Sequence, residues 1–224
     1  MNDRQRLPPL PDLARTLYTA VLSDVLDEAG FMSQALKPFV RPLDETSVMC
    51  GFARTGLYRK VYHVEPGRNP YEIEMDLIDS LAAGEVAVLA CDGPTDRIAP
   101  WGELLTTAAS IRGATGCLTD GLVRDVRRIR EMRFPVFAGG IGPLDSKGRA
   151  EMAAMDIAVE VAGVRIEPGD LVFGDVDGCV AIPEAVAPQV VARALEKVTA
   201  EDRTRDALAA GESLRQVFER FGVL

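Results

Sequence analysis

An α/β fold is the expectation for this chain: a mainly parallel sheet, then a run of antiparallel strands. Three observations carry it. Strand-length apolar runs alternate with helix-period stretches through the first two thirds, as parallel βα units require. From Ile157 to Pro183 the pattern switches to period two, with Gly163, Pro168-Gly169 and Asp177-Gly178 as turn signals. The length, 224 residues with 47% hydrophobic and 26% charged side chains, suits one domain over 1–224 with a sizeable core.

Residues 1–11, proline-rich from Leu7 to Pro11, read as an arm. Asp12 can cap one long helix that Gly30 ends. Leu13, Leu17, Val21, Val25 and Ala29 keep to one face with Leu22 and Leu26 beside it, while Ser23, Asp24 and Asp27 fall on a solvated side. Residues 31–50 are irregular, broken by Pro38 and Pro42. Gly51 to Val64 reads as a strand kinked at Gly56, with His63 in mid-strand. After the Pro66-Gly67 turn, Tyr71–Ala83 is a helix closed by Gly84. Glu85–Ala90 is a buried strand that delivers Cys91-Asp92-Gly93-Pro94 at its carboxyl end.

The stretch WGELLTTAASIRGATGCLTDGLVRD, Trp101 to Asp125, organises the chain. Leu104, Leu105, Ala108 and Ala109 repeat at helical spacing, and Gly113 and Gly116 stop that helix. Cys117-Leu118-Thr119 is a short buried strand. Gly121 permits a sharp turn, so Arg124 and Asp125 emerge together at a strand end. A helix over 126–132 and a strand over Phe134–Ala138 follow. Pro183 to about Ala210 forms a long helix and Ser213–Phe221 a short one, so residues 183–224 make a C-terminal helical tail.

Bulk properties narrow the function classes. A net charge of −9 argues against nonspecific nucleic-acid binding. No apolar run is long enough to span a bilayer, and the N-terminus lacks a signal-peptide core. Cys50, Cys91, Cys117 and Cys179 are scattered without a CxxC pair, which fits a reducing cytoplasm. With His63 the single histidine, a metal here would be oxygen-ligated, hence Mg²⁺ or Mn²⁺.

Several constellations bear weighing. Arg124 and Asp125, an adjacent cation and anion at a strand end, suit a divalent metal beside an anionic substrate. Asp125 equally suits the N-cap of the helix 126–132, with Arg124 a solvated neighbour. The glycines of Gly139-Gly140-Ile141-Gly142-Pro143 lack the spacing of a nucleotide loop. Lys147 would need desolvation to form a Schiff base, yet its neighbours Asp145, Ser146 and Gly148 are those of a wet loop. Asp175-Val176-Asp177-Gly178 is better explained as a hairpin turn than as a metal loop. Glu201 lies about 20° around the helix from Val190 and so extends an apolar stripe.

On WGELL…GCLTDGLVRD the chain resembles the family that joins 4-hydroxy-4-methyl-2-oxoglutarate aldolases to the RraA-like regulators of ribonuclease activity. Thr19…Ser23-Asp24-Val25-Leu26-Asp27, Phe134–Ala138, Pro168-Gly169-Asp170, Asp175–Gly178 and Gly211-Glu212-Ser213-Leu214 extend the likeness over most of the chain. The resemblance implies an RraA-like β/β/α swivelling-domain sandwich, assembled as a homotrimer or homohexamer with sites between subunits. It implies a Mg²⁺- or Mn²⁺-dependent class II pyruvate aldolase (4-hydroxy-4-methyl-2-oxoglutarate or 4-carboxy-4-hydroxy-2-oxoadipate type), often with oxaloacetate decarboxylase activity. Carried over residue by residue, Asp125 is the direct metal ligand and Arg124 neutralises the substrate carboxylate and enolate oxygen. Glu103 holds a metal-bound water, and Gly102 with the amides of Leu104 and Leu105 receives the carboxylate at a helix N-terminus. Glu201 from the adjacent subunit closes the site. Two departures stand out: Glu103 replaces a shorter aspartate, and Gly139 stands where many relatives carry arginine. The alternative the same family offers is a non-catalytic inhibitor of ribonuclease E, a type that typically lacks the metal-binding aspartate.

Overall fold

The structure, a computed structural model, describes residues 7–93 and 95–222, so residues 1–6 of the expected arm, Pro94, and residues 223–224 of the expected C-terminal tail lie outside the described residues. Its elements are α1 (Leu10–Thr16), α2 (Thr19–Glu28), β1 (Arg41–Pro42), β2 (Met49–Lys60), α3 (Glu72–Asp79) and β3 (Glu85–Ala90). Then come α4 (Glu103–Ile111), β4 (Gly116–Thr119), β5 (Leu122–Val123), α5 (Val126–Met132), β6 (Val136–Ala138) and β7 (Gly140–Ile141). The last third holds β8 (Ala150–Met155), β9 (Val159–Val161), β10 (Val164–Ile166), β11 (Leu171–Asp175), β12 (Gly178–Ile182), α6 (Ala187–Ala209) and α7 (Leu214–Phe221).

One mixed sheet runs in the order β1-β6-β4-β3-β2-β11-β12, with β8 also pairing β2. Its centre is parallel, with Val88 beside both Thr55 and Leu118, and Leu118 beside Phe137. Side chains alternate across it. Ala87, Leu89, Cys117, Val136 and Ala138 face α3, α4 and α5, whereas Val86, Val88, Ala90, Leu118 and Phe137 face the β9–β10 hairpin. Burial on both faces is why these strands read as continuous apolar runs. Helices α1, α2 and α6 cover β11 and β12 through Leu13, Leu22, Leu26, Val190 and Phe173. Arg41 of β1 donates to the Asp177 carbonyl in the β11–β12 turn at 2.6 Å, so the two ends of the sheet approach one another and it is nearly closed. This is the α/β sandwich expected. Among the described residues no helix is long and apolar enough to cross a membrane.

Four expectations need correction. The long N-terminal helix is two helices, because Leu17 is extended (φ −91°, ψ 160°) and the chain restarts at Thr19. The Thr19 amide donates to Asp175 Oδ2 at 2.7 Å, a tertiary cap that local pattern cannot announce. Asp12 does not cap α1 but pairs with Arg15 inside it, with Pro9 at the cap position. Strand β2 ends at Lys60, leaving His63 exposed beyond it, and its irregularity falls between Leu57 and Tyr58. Gly56 serves packing instead, since a Cβ there would come 2.8 Å from both Leu77 and Met152. Leu104 leaves the predicted apolar face of α4 and is 75% exposed, while Thr106 is buried in its stead. Asp175–Gly178 is the hairpin turn predicted, closing β11 against β12.

Candidate functional site

The parallel strands release their loops at one edge, and buried polar contacts knit those loops together. Asp120, fully buried just past β4, accepts the amides of Cys91 at 2.7 Å and Gly93 at 2.9 Å, which ties the end of β3 to that of β4. Burial pushes its carboxyl above the usual range while those amides pull it down. Trp101, also fully buried, stacks on Phe134 with ring centroids 6.2 Å apart and donates its indole N–H to Thr106 Oγ1 at 2.8 Å. Its backbone bridges Val123, and its carbonyl accepts the Arg124 amide at 3.0 Å. Trp101 thus pins the start of α4 against the turn that carries Arg124 and Asp125.

Asp125 takes the N-cap position that one reading of the sequence gave it, without making the cap. It occupies the N-cap position of α5, in the left-handed region at φ 59°, but its side chain makes no cap bond to that helix. Oδ2 instead accepts the amide of Glu103, the first residue of α4, at 3.3 Å. The carboxylate therefore sits at the N-terminus of a different helix, where the dipole favours negative charge. A short polar side chain tolerates this backbone better than most. Gly102 makes the room: a Cβ there would come 2.8 Å from Asp125 Oδ2 and 3.1 Å from Arg124 Cγ. The Leu104 and Leu105 amides have no acceptor among the described residues, as first-turn donors do when a ligand or water takes them.

Arg124 lies between two carboxylates. Its Nε is 3.8 Å from Asp125 Oδ2 and its Nη1 is 3.5 Å from Asp145 Oδ1. Both exceed a hydrogen bond, so the guanidinium is held by charge while its donors stay open. Asp145 was read in the sequence only as a wet neighbour of Lys147. Its Oδ2 accepts the Tyr71 hydroxyl at 2.5 Å and its Oδ1 accepts the Ser146 amide at 2.9 Å. Partial burial and the Asp145 carboxylate push the Tyr71 hydroxyl up to about 12, so it remains a donor. No periodicity or motif pointed to Tyr71; only the fold brings it here.

Beneath this pair lies a second one. The buried Tyr58 hydroxyl donates to Glu74 Oε2 at 2.5 Å, and burial raises the Glu74 carboxyl from 4.5 to about 6. Because the folded state takes up this proton more readily, its contribution is complete below pH 4.5. The contribution is lost as pH rises through about 6, by about 2 kcal/mol at most. Glu74→Gln is expected to flatten thermal stability across that window; a melting-temperature profile as steep as the wild type's would remove Glu74 as its source.

The other predicted residues divide. Glu103 brings its amide to Asp125, but its carboxylate accepts from Thr107 Oγ1 at 3.1 Å, one turn along its own helix. Glu201 accepts from the Tyr18 hydroxyl and lies 3.6 Å from Arg205, so within one chain it is engaged away from Arg124. Burial raises its carboxyl against the pull of Arg205. Gly139 packs by its backbone, since a Cβ would come 2.5 Å from the Asp120 carbonyl oxygen. Lys147 is exposed.

Among the described residues no group of three or more His, Cys, Asp or Glu side chains could enclose a metal. A Mg²⁺ ion does not need such a cage, since it keeps several waters and takes one or two carboxylates. Asp125, its side chain half exposed beside Gly102, is that kind of donor. Asp125, Glu103 and Asp145 against Arg124 also leave two net negative charges, three minus one, around the place an anion would enter. An added divalent cation cancels them, so the residues fit the group.

The mixed α/β fold, with its nearly closed sheet covered by helices, is that of an RraA-like domain. The sequence model of the family described as RraA-like (Aldolase/RraA) matches residues 19–181, and the chain belongs to that family. It is 30% identical over 192 residues to a protein of Halalkalibacterium halodurans provisionally named a 4-hydroxy-4-methyl-2-oxoglutarate aldolase, covering 86% of this chain and 84% of that one. It is 31% identical over 215 residues to Protein DlpA of Legionella pneumophila, covering 95% of this chain but only 34% of DlpA. Among solved structures, an uncharacterized Pseudomonas syringae protein superposes with a TM-score of 0.80 at 30% identity, covering 92% of this chain and 94% of that one. Streptomyces coelicolor RraAS2, described as an unusual member of the RNase ES inhibitor RraA protein family, gives 0.78 at 26% identity, covering 88% and 96%.

Proposed function

We propose that this protein is a divalent-metal-dependent class II pyruvate aldolase of the 4-hydroxy-4-methyl-2-oxoglutarate type, acting in the cytoplasm, with oxaloacetate decarboxylation as a second activity. The observation that carries the reading is the placement of Asp125. Its carboxylate forgoes its own helix and stands beside Arg124 at the N-terminus of α4, over Gly102. Asp125 would hold a Mg²⁺ or Mn²⁺ ion there, which would supply Lewis-acid stabilisation of negative charge. Glu103 would steady that ion's water after leaving Thr107. The open amides of Leu104 and Leu105 receive the carboxylate of a 2-oxo acid, and Arg124 faces it with a guanidinium fork. When the carbon–carbon bond next to the oxo group breaks, the charge left on the pyruvate half falls where Arg124 already stands.

The likeness to RraAS2 favours a second reading, a non-catalytic inhibitor of a ribonuclease. Pyruvate release from oxaloacetate, measured with Mg²⁺ and again with excess EDTA, separates the two. Metal-dependent release is the expected result, and inertness toward oxaloacetate and every 4-hydroxy-2-oxo diacid would sink the enzymatic reading. Assembly as a homotrimer or homohexamer belongs to the same proposal, because Leu104, Ile111 and Ile141 stand 75%, 80% and 62% exposed on α4 and β7. A monomer mass by sedimentation would exclude it, and with it a contribution of Glu201 from a neighbouring subunit.

A further inference from the structure

We infer that Asp145 and Tyr71 are positioning residues that hold the Arg124 guanidinium off Asp125 and turned toward an incoming carboxylate. This rests on the aldolase reading and adds two residues that the resemblance did not supply.

Geometry supports it at each link. The Arg124 side chain makes no hydrogen bond to the described residues; what locates it is one carboxylate on each side, at 3.8 Å and 3.5 Å. Those two attractions oppose each other. Remove Asp145 and the nearest remaining charge is Asp125, onto which a guanidinium collapses readily, since Arg–carboxylate pairs prefer a close bidentate contact. That collapse would turn the guanidinium's donors away from an incoming carboxylate and neutralise the Asp125 charge needed for a cation.

Asp145 can act as the counterweight because it is itself fixed at three points. The Tyr71 hydroxyl holds Oδ2 at 2.5 Å, the Ser146 amide holds Oδ1 at 2.9 Å, and Arg149 holds its carbonyl at 3.2 Å. Tyr71 in turn stands at the N-cap position of α3, with its amide on Asn69 Oδ1 at 3.1 Å. The chain from α3 to Asp145 to Arg124 transmits a rigid element's position to a side chain that is otherwise 38% exposed.

The test uses the full-length protein with Mg²⁺, and the variants Tyr71→Phe and Asp145→Asn. Each is assayed for steady-state oxaloacetate turnover, for melting temperature, and for calorimetric binding of oxalate, a two-carboxylate probe. The expected result is a rise in KM of about 10-fold for Tyr71→Phe and about 100-fold for Asp145→Asn, the range that orienting partners of a site residue show. Oxalate affinity weakens in parallel. A merely structural role would instead leave fewer active molecules, lowering kcat at unchanged KM together with the melting temperature. Tyr71→Phe removes one oxygen from a half-buried ring and keeps the result decisive if Asp145→Asn folds poorly. Unchanged KM and oxalate affinity in an active wild-type background would overturn this inference and leave the aldolase reading standing. A wild type that neither releases pyruvate nor binds oxalate would overturn both.

Discussion

Asp125→Asn is expected to lose turnover by on the order of 1000-fold, the several kcal/mol of charge stabilisation a bound cation supplies. Asparagine keeps the size of the side chain and tolerates the left-handed backbone at φ 59°, so the substitution isolates charge. Asp125→Ala should lose as much activity but adds a small stability cost of about 1 kcal/mol, from the lost acceptor for the Glu103 amide. Both variants should keep their fold, because the side chain is half exposed. Steady-state kinetics beside circular dichroism distinguishes these effects. Wild-type activity in either variant would remove Asp125 from the site.

Trp101→Ala is the substitution expected to damage stability most. It deletes the largest fully buried side chain, its stacking on Phe134 and its bond to Thr106, at a cost of about 3–5 kcal/mol. For a domain of this size that is a fall in melting temperature of roughly 6–20 °C. The site should go with it, because the Trp101 backbone holds both Val123 and the Arg124 amide. Trp101→Phe keeps a ring against Phe134 and should lose less than half as much. A melting temperature unchanged in Trp101→Ala would show that the α4 start is anchored by something else.

Much of the scaffold was legible in residue order. Glu85–Ala90 and the helix over 126–132 stand at the predicted boundaries, and the period-two texture after Ile157 became the hairpins β9–β10 and β11–β12. These follow from local rules, since burial of one stripe or two faces imprints a period on the chain. Arg124 and Asp125 could be found for a similar reason: two adjacent residues after a glycine turn stay neighbours whatever the fold. The break at Leu17 was not legible, because the acceptor for the Thr19 amide comes from Asp175, more than 150 positions away. Leu104 likewise has the composition of a core residue and the position of an exposed one.

Taken alone, the amino-acid order determined the alternation of strands and helices, the supply of a single histidine, and which two neighbouring residues carry opposite charge at a strand end. The tertiary structure decided which way those charges face. It turned Asp125 from its own helix to the start of α4, folded the Glu103 carboxylate back onto Thr107, and set Asp145 and Tyr71 beside Arg124. The reason is physical: periodicity records what each residue buries, which is a property of its own element. The direction of a half-exposed charged side chain is set by charges and amides that only closure of the sheet brings within reach.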